Sequence, residues 1–81
     1  MKNIHYRAVI KLWDDVIIVA GPTKEYMCNR VAQLVYDYIM KLTQDAEEAC
    51  NIGELAGIAY ECTCYGGKTW EGRHNVTIRV I

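Results

Sequence analysis

The chain has 81 residues, of which 52% are hydrophobic, and a formal net charge of -1. A chain this short buries only about 60% of its unfolded surface, so one domain with a thin core is expected, and the aliphatic content excludes disorder. The near-neutral charge excludes whole-surface attraction to nucleic acid or an anionic membrane and leaves only a local patch for either.

No apolar run approaches the roughly 18 residues of a spanning helix, so no membrane role is expected. The opening "MKNIHYRAVIKLW" alternates in polarity and lacks the continuous apolar stretch of a signal peptide. The default compartment is therefore the cytoplasm, with Cys28, Cys50, Cys62 and Cys64 as free thiols. Phe is absent, so six Tyr and two Trp supply the aromatic bulk. A buried Tyr needs a partner for its hydroxyl, which favours the core edge.

In chain order, "NIHYRAVIKLW" has period two: Ile4, Tyr6, Ala8, Ile10 and Leu12 on one face, His5, Arg7, Val9, Lys11 and Trp13 on the other. That is the pattern of a half-buried strand. Asp14-Asp15 is a turn signal and "VIIVA" a second strand, giving a hairpin. Gly21-Pro22-Thr23 ends the strand and opens a helix, with Thr23 as N-cap and Glu25 complementing the dipole. Met27, Val31, Leu34, Val35, Tyr38 and Leu42 recur at helical spacing and mark its buried face.

Ala46 and Ala49 extend that stripe, so the helix either runs on to about Cys50 or yields to a short second helix capped by Thr43. Asn51 and Gly53 read as stop signals in both cases. "GIAYECTCY" alternates again, with Ile58, Tyr60, Cys62 and Cys64 on one face, and "HNVTIRVI" places Val76, Ile78 and Val80 inward. These runs flank a polar, glycine-rich loop and predict a second hairpin. The expected architecture is a single α+β domain over residues 1–81, ordered ββαββ: a four-stranded, mainly antiparallel sheet with one long helix on one face.

No nucleotide-loop, nucleophile-elbow or zinc-protease motif is present, and both histidines, His5 and His74, lie on or beside outward strand positions, away from the thiols. No enzyme activity and no cofactor are expected. Cys62-Thr63-Cys64 on a flat strand lacks the turn that zinc ligation uses, so no metal site is expected and both thiols are assigned to the core. The turn "AGPTKE" precedes a helix, where anions bind, but it lacks phosphate-loop glycine spacing and reads as an ordinary capped turn. Asp45, Glu47, Glu48 and Glu54 read as a solvated helix end.

Two surfaces are candidates for recognition. The first is the loop "GGKTWEGRH", whose Lys68, Trp70, Glu71 and Arg73 include the residue types enriched at interface hot spots. Trp70 either contacts a partner or folds back over the core edge. The second is the outer sheet face, expected to carry His5, Arg7, Lys11, Trp13, Thr63, Tyr65, Thr77 and Arg79, with Glu61 diluting the positive charge. Its mix of cations and aromatics suits nucleic acid. The functional expectation is a small non-catalytic interaction protein using the loop to bind a protein partner, of the kind exemplified by phage-type inhibitors of host or defence proteins such as anti-CRISPRs. The alternative is a nucleic-acid-binding module using the open sheet face. An apolar final strand, "VTIRVI", placed at a sheet edge would also predict a homodimer.

Overall fold

The computed structural model describes residues 6–13, 15–64 and 67–81. The elements are β1 (Tyr6–Lys11), β2 (Val16–Gly21), α1 (Lys24–Thr43), α2 (Ala46–Cys62), β3 (Trp70–Glu71) and β4 (Thr77–Val80). The four strands form one antiparallel sheet in the order β2-β1-β4-β3. Both helices pack on the same face, α1 over β1 and β2 and α2 over β4. The fold is α+β, but its order is ββααββ rather than ββαββ.

The first hairpin follows its sequence pattern. Ala8, Ile10 and Leu12 are buried, while Arg7, Lys11 and Trp13 are exposed. Reciprocal backbone bonds between Leu12 and Asp15 (2.8 and 3.3 Å) close a two-residue turn with Trp13 at its first position. Asp14, read as part of the turn signal, lies outside the described residues.

α1 starts where Thr23 Oγ1 accepts the Tyr26 N–H at 3.0 Å. It buries Met27, Val31, Val35 and Ile39. Leu42, expected on that face, is exposed, because the buried stripe recurs every four residues and ends at Ile39. α1 does not continue to Cys50. Gln44 adopts a left-handed conformation (φ 57°) and its N–H caps the Met40 carbonyl. Asp45 then opens α2 by accepting the N–H groups of Glu47 and Glu48 at 3.1 and 3.2 Å. Asp45, not Thr43, is the cap. Thr43 instead donates its hydroxyl to Ile39 O at 2.8 Å.

α2 is 17 residues long and absorbs most of the stretch read as the third strand. Gly53 and Gly57 do not stop it; they let it approach α1. A Cβ on Gly53 would lie 2.9 Å from Ala32 O, and one on Gly57 3.1 Å from Cys28 O. Glycines four apart share a helix face, so this pair makes one continuous close contact. The alternation of Ile58, Tyr60, Cys62 and Cys64 is broken accordingly: Tyr60 and Cys64 are buried, Ile58 and Cys62 exposed.

A second hairpin is present, but not the expected one: its first strand is β3, which lies within the stretch read as the connecting loop. β3 pairs Trp70 with Ile78 and Glu71 with Thr77, and its tip is the turn at Arg73–Val76, closed by Val76 N–H to Arg73 O at 3.2 Å. His74 and Asn75 both have positive φ (58° and 63°), which the mirror-image hairpin turns require and which Asn and His tolerate better than most residues. Val76 and Ile78 are buried as expected and Val80 is half-buried. β4 lies between β1 and β3, with β3 pairing along Thr77 and Ile78, so the final strand is not the outermost strand that the expected edge contact assumed.

The core lies between sheet and helices, built on Ile10, Val19 and Ile78 below and Met27, Val31, Val35, Ile39, Ile52 and Tyr60 above. Fully burying each such aliphatic side chain contributes about 1.5–3 kcal/mol. Among the described residues no helix is long and apolar enough to cross a membrane.

Candidate functional site: the open face of the sheet

Both helices cover one face of the sheet, and among the described residues no element covers the other. Side chains alternate across a strand, so the residues between the buried ones occupy that open face. The register assembles them into rows. Arg79 on β4 lies opposite Val9 on β1, which lies opposite Ile18 on β2. In the next row Glu71, Thr77, Lys11 and Val16 follow one another across all four strands. A shorter row pairs Arg7 with Ala20. Neighbouring strands are about 4.8 Å apart, so these side chains are lateral neighbours.

The face has an apolar margin and a cationic body. Ile18 is 65% exposed, Val16 60% and Trp13 68%. Arg7, Lys11 and Arg79 are exposed beside them. Trp13, Lys11, Thr77 and Asn75 line a shallow depression at the turn end. The turn itself is held from the core side: the Tyr38 hydroxyl accepts the Trp13 N–H at 3.2 Å and donates to His74 O at 3.4 Å.

Of the eight expected open-face residues, five lie on this face: Arg7, Lys11, Thr77 and Arg79 in the strands and Trp13 at the turn end. His5 and Tyr65 lie outside the described residues. Thr63 and Glu61 do not belong to the face, because they sit at the end of α2; Glu61 therefore does not dilute its charge. Sequence reasoning missed Val16 and Ile18. Their signal was present in "VIIVAG", a strand apolar at every position and therefore apolar on both faces.

The residues expected in a recognition loop are dispersed. Lys68 is exposed in the α2–β3 connection. Glu71 is exposed at the open face's β3 margin. Trp70 is half-buried, packs against the core and folds over Gly72, where a Cβ would fall 2.3 Å from the indole. Arg73 Nη1 lies 3.3 Å from Glu48 Oε2. His74 Nε2 donates to the same carboxylate at 3.1 Å. These contacts, with His74's hydrogen bond first, hold the Glu48 carboxyl below its usual range. Glu48 sits in the first turn of α2, so this cluster clips the second hairpin to a helix start, where a carboxylate is also favoured by the dipole.

The thiols divide. Cys64 is buried, donates to Ile78 O at 3.4 Å and has its pKa raised by burial. Cys62, assigned to the core with it, is exposed because the helix turns it outward. Cys28 is half-buried beside Glu61, and burial first and then that carboxylate raise its pKa. On the solvent side of the helix pair, Ala32, Gly53 and Gly57 floor a groove walled by Asn29, Glu54 and Ile58. Among the described residues no three His, Cys, Asp or Glu side chains gather as a metal site requires.

Comparison with protein-family models, with curated proteins and with solved structures finds no match.

Proposed function

We propose that this chain is a non-catalytic binding module that contacts a protein partner through the open face of its sheet. One observation carries the reading: Val16 and Ile18 are solvent-exposed on the same side as Arg7, Lys11 and Arg79, and the exposed Trp13 adjoins Lys11 and Thr77 at the turn end of that side. Apolar side chains at this exposure, gathered and rimmed by charge, mark interaction surfaces. Trp and Arg are also the types that dominate interface energetics. A complementary partner presents an apolar patch bordered by carboxylates. Such a module works by occupying a partner's surface, the mode of action of a phage-type inhibitor of a host or defence protein, and four free cysteines suit a reducing compartment such as the cytoplasm.

The three cations of the face, with Lys11 beside Trp13, also favour a second reading, nucleic-acid binding, in which the indole stacks on a base. Val16 and Ile18 oppose it, since aliphatic side chains offer no stacking plane.

Partner capture from lysate with the wild type, Trp13→Ala, Arg79→Glu and the helix-side control Leu55→Asp tests the proposal. The expected result is a protein lost with either sheet-face variant and retained with Leu55→Asp. Proteins captured equally by all four would contradict it. Binding to generic single-stranded RNA or DNA whose affinity falls steeply with salt, and which Trp13→Ala weakens, would move the assignment to nucleic acid.

A further inference from the structure

Among the described residues the outermost strands of the sheet are β3 and β2, and they differ. β3 is two residues long, and short edge strands are self-protecting. β2 is six residues long and its sequence, Val16–Gly21, contains no charged residue and no proline. Proteins that keep such an edge unpaired place charges, proline or a bulge on it; β2 carries none of these.

The hydrogen-bond pattern fixes what this edge offers. In an antiparallel pair, hydrogen-bonded and non-hydrogen-bonded residue pairs alternate. Leu12 and Asp15 exchange both backbone bonds. Counting along the register, Ile10–Ile17 and Ala8–Val19 are hydrogen-bonded pairs, and Lys11–Val16, Val9–Ile18 and Arg7–Ala20 are not. The N–H and C=O groups of Val16, Ile18 and Ala20 therefore point away from β1, toward the free edge.

We propose that β2 pairs antiparallel with β2 of a second copy of this chain, about a two-fold axis at Ile18. In that register Ile18 meets its own counterpart, and Val16 and Ala20 of one copy meet Ala20 and Val16 of the other. Every outward donor and acceptor of the three residues finds a partner. Shifting by two residues either way leaves one of the three unpaired on each copy, and shifting by one opposes outward groups to inward ones. The contact is self-complementary in shape as well, with the branched Val16 against the small Ala20 and Ile18 against Ile18. The charges tolerate it: Arg7 of one copy and Lys11 of the other stand three strand spacings apart, about 14 Å, beyond a Debye length of about 8 Å. The product is one continuous eight-stranded sheet. The pairing uses the edge of β2, so it stands independently of the open-face proposal.

Sedimentation from about 5 to about 200 µM, the range in which micromolar pairs populate, tests it with three variants. The wild type is expected to pass from monomer to twice the monomer mass. Ile18→Lys, which sets two like charges opposite each other at the axis, is expected to stay monomeric at every concentration with an unchanged circular-dichroism melt. Ala20→Pro removes an outward donor without touching the bonds to β1 and is expected to weaken association at least tenfold. Because Ala20 carries no large side chain on the open face, this variant separates loss of edge pairing from loss of the face. Leu55→Lys, on the helix side, is expected to dimerise like the wild type. A wild type that is monomeric at about 200 µM, or a dimer indifferent to both Ile18→Lys and Ala20→Pro, would overturn the proposal.

Discussion

The hydroxyl of Tyr38 on α1 accepts the backbone N–H of Trp13 at 3.2 Å, across 25 residues of sequence. The same hydroxyl reaches the His74 carbonyl. One side chain from the helix layer thus ties both hairpins' turn regions to the core, and it fixes the turn from which the exposed indole projects. Tyr38→Phe keeps the ring and removes both bonds. At about 1 kcal/mol net for a typical hydrogen bond, the variant is expected to lose about 1–2 kcal/mol in urea denaturation, with faster amide exchange at the turn. Unchanged stability would show that the turn is held by other contacts.

The two tryptophans are expected to behave oppositely. Trp70 stands opposite the buried Ile78 and covers the core edge over Gly72. Trp70→Ala is expected to cost roughly 3 kcal/mol, the lower end for large aromatic truncations because the ring is only half-buried. Trp13→Ala removes an exposed side chain and is expected to change stability by no more than about 0.5 kcal/mol. Thermal melts of the pair check both. A reversed order would exchange their assignments.

Gly53 tests how closely the helices meet. Alanine there gains up to about 1 kcal/mol of helix propensity. Its Cβ would stand 2.9 Å from a backbone oxygen of α1, which cannot swing aside as a side chain can, and overpacking costs about 1–3 kcal/mol. Gly53→Ala is therefore expected to be net destabilising by about 1 kcal/mol, and Gly57→Ala, with 3.1 Å to its neighbour, by less. A stabilised Gly53→Ala would mean the helices can separate freely.

Thiol labelling separates the cysteines by position. Cys50 and Cys62 are exposed. Raised pKa values leave less thiolate, so Cys28 is expected to react more slowly and the buried Cys64 only on unfolding. The two exposed thiols, Cys50 and Cys62, should react fast in the native protein. Rapid native labelling of Cys64 would contradict its buried place against Ile78 of β4.

The first hairpin and α1 were legible because their patterns are unambiguous: large apolar residues at period two in β1, and at helical spacing from Met27 to Val35, behind Thr23. α2 was not legible because its buried face is made mostly of small residues. Ala49, Gly53, Ala56, Gly57 and Ala59 give almost no hydrophobic contrast, so the alternating Ile58, Tyr60, Cys62 and Cys64 dominated the reading. Asp45, followed three residues later by Glu48, was the missed start signal. Gly53 was read as a stop signal and Gly57 as the start of a strand, when their four-residue spacing marks a close helix contact. The open face was legible for its charges, which lie on β1 and β4. Its apolar part was hidden because a uniformly apolar strand looks buried until its neighbours are known.

Site-specific photo-crosslinking most directly tests the claim that the open face is the contact surface. A photoreactive amino acid at Val9, in the middle of the central row of the face, is compared with one at Leu55 on the exposed side of α2. The account predicts that, in cells containing the partner, the Val9 probe yields a protein adduct distinct from the chain's own dimer. Trp13→Ala should abolish that adduct, and the Leu55 probe should not yield it. An adduct formed from Leu55 and absent from Val9 would contradict the account and place the contact on the helices.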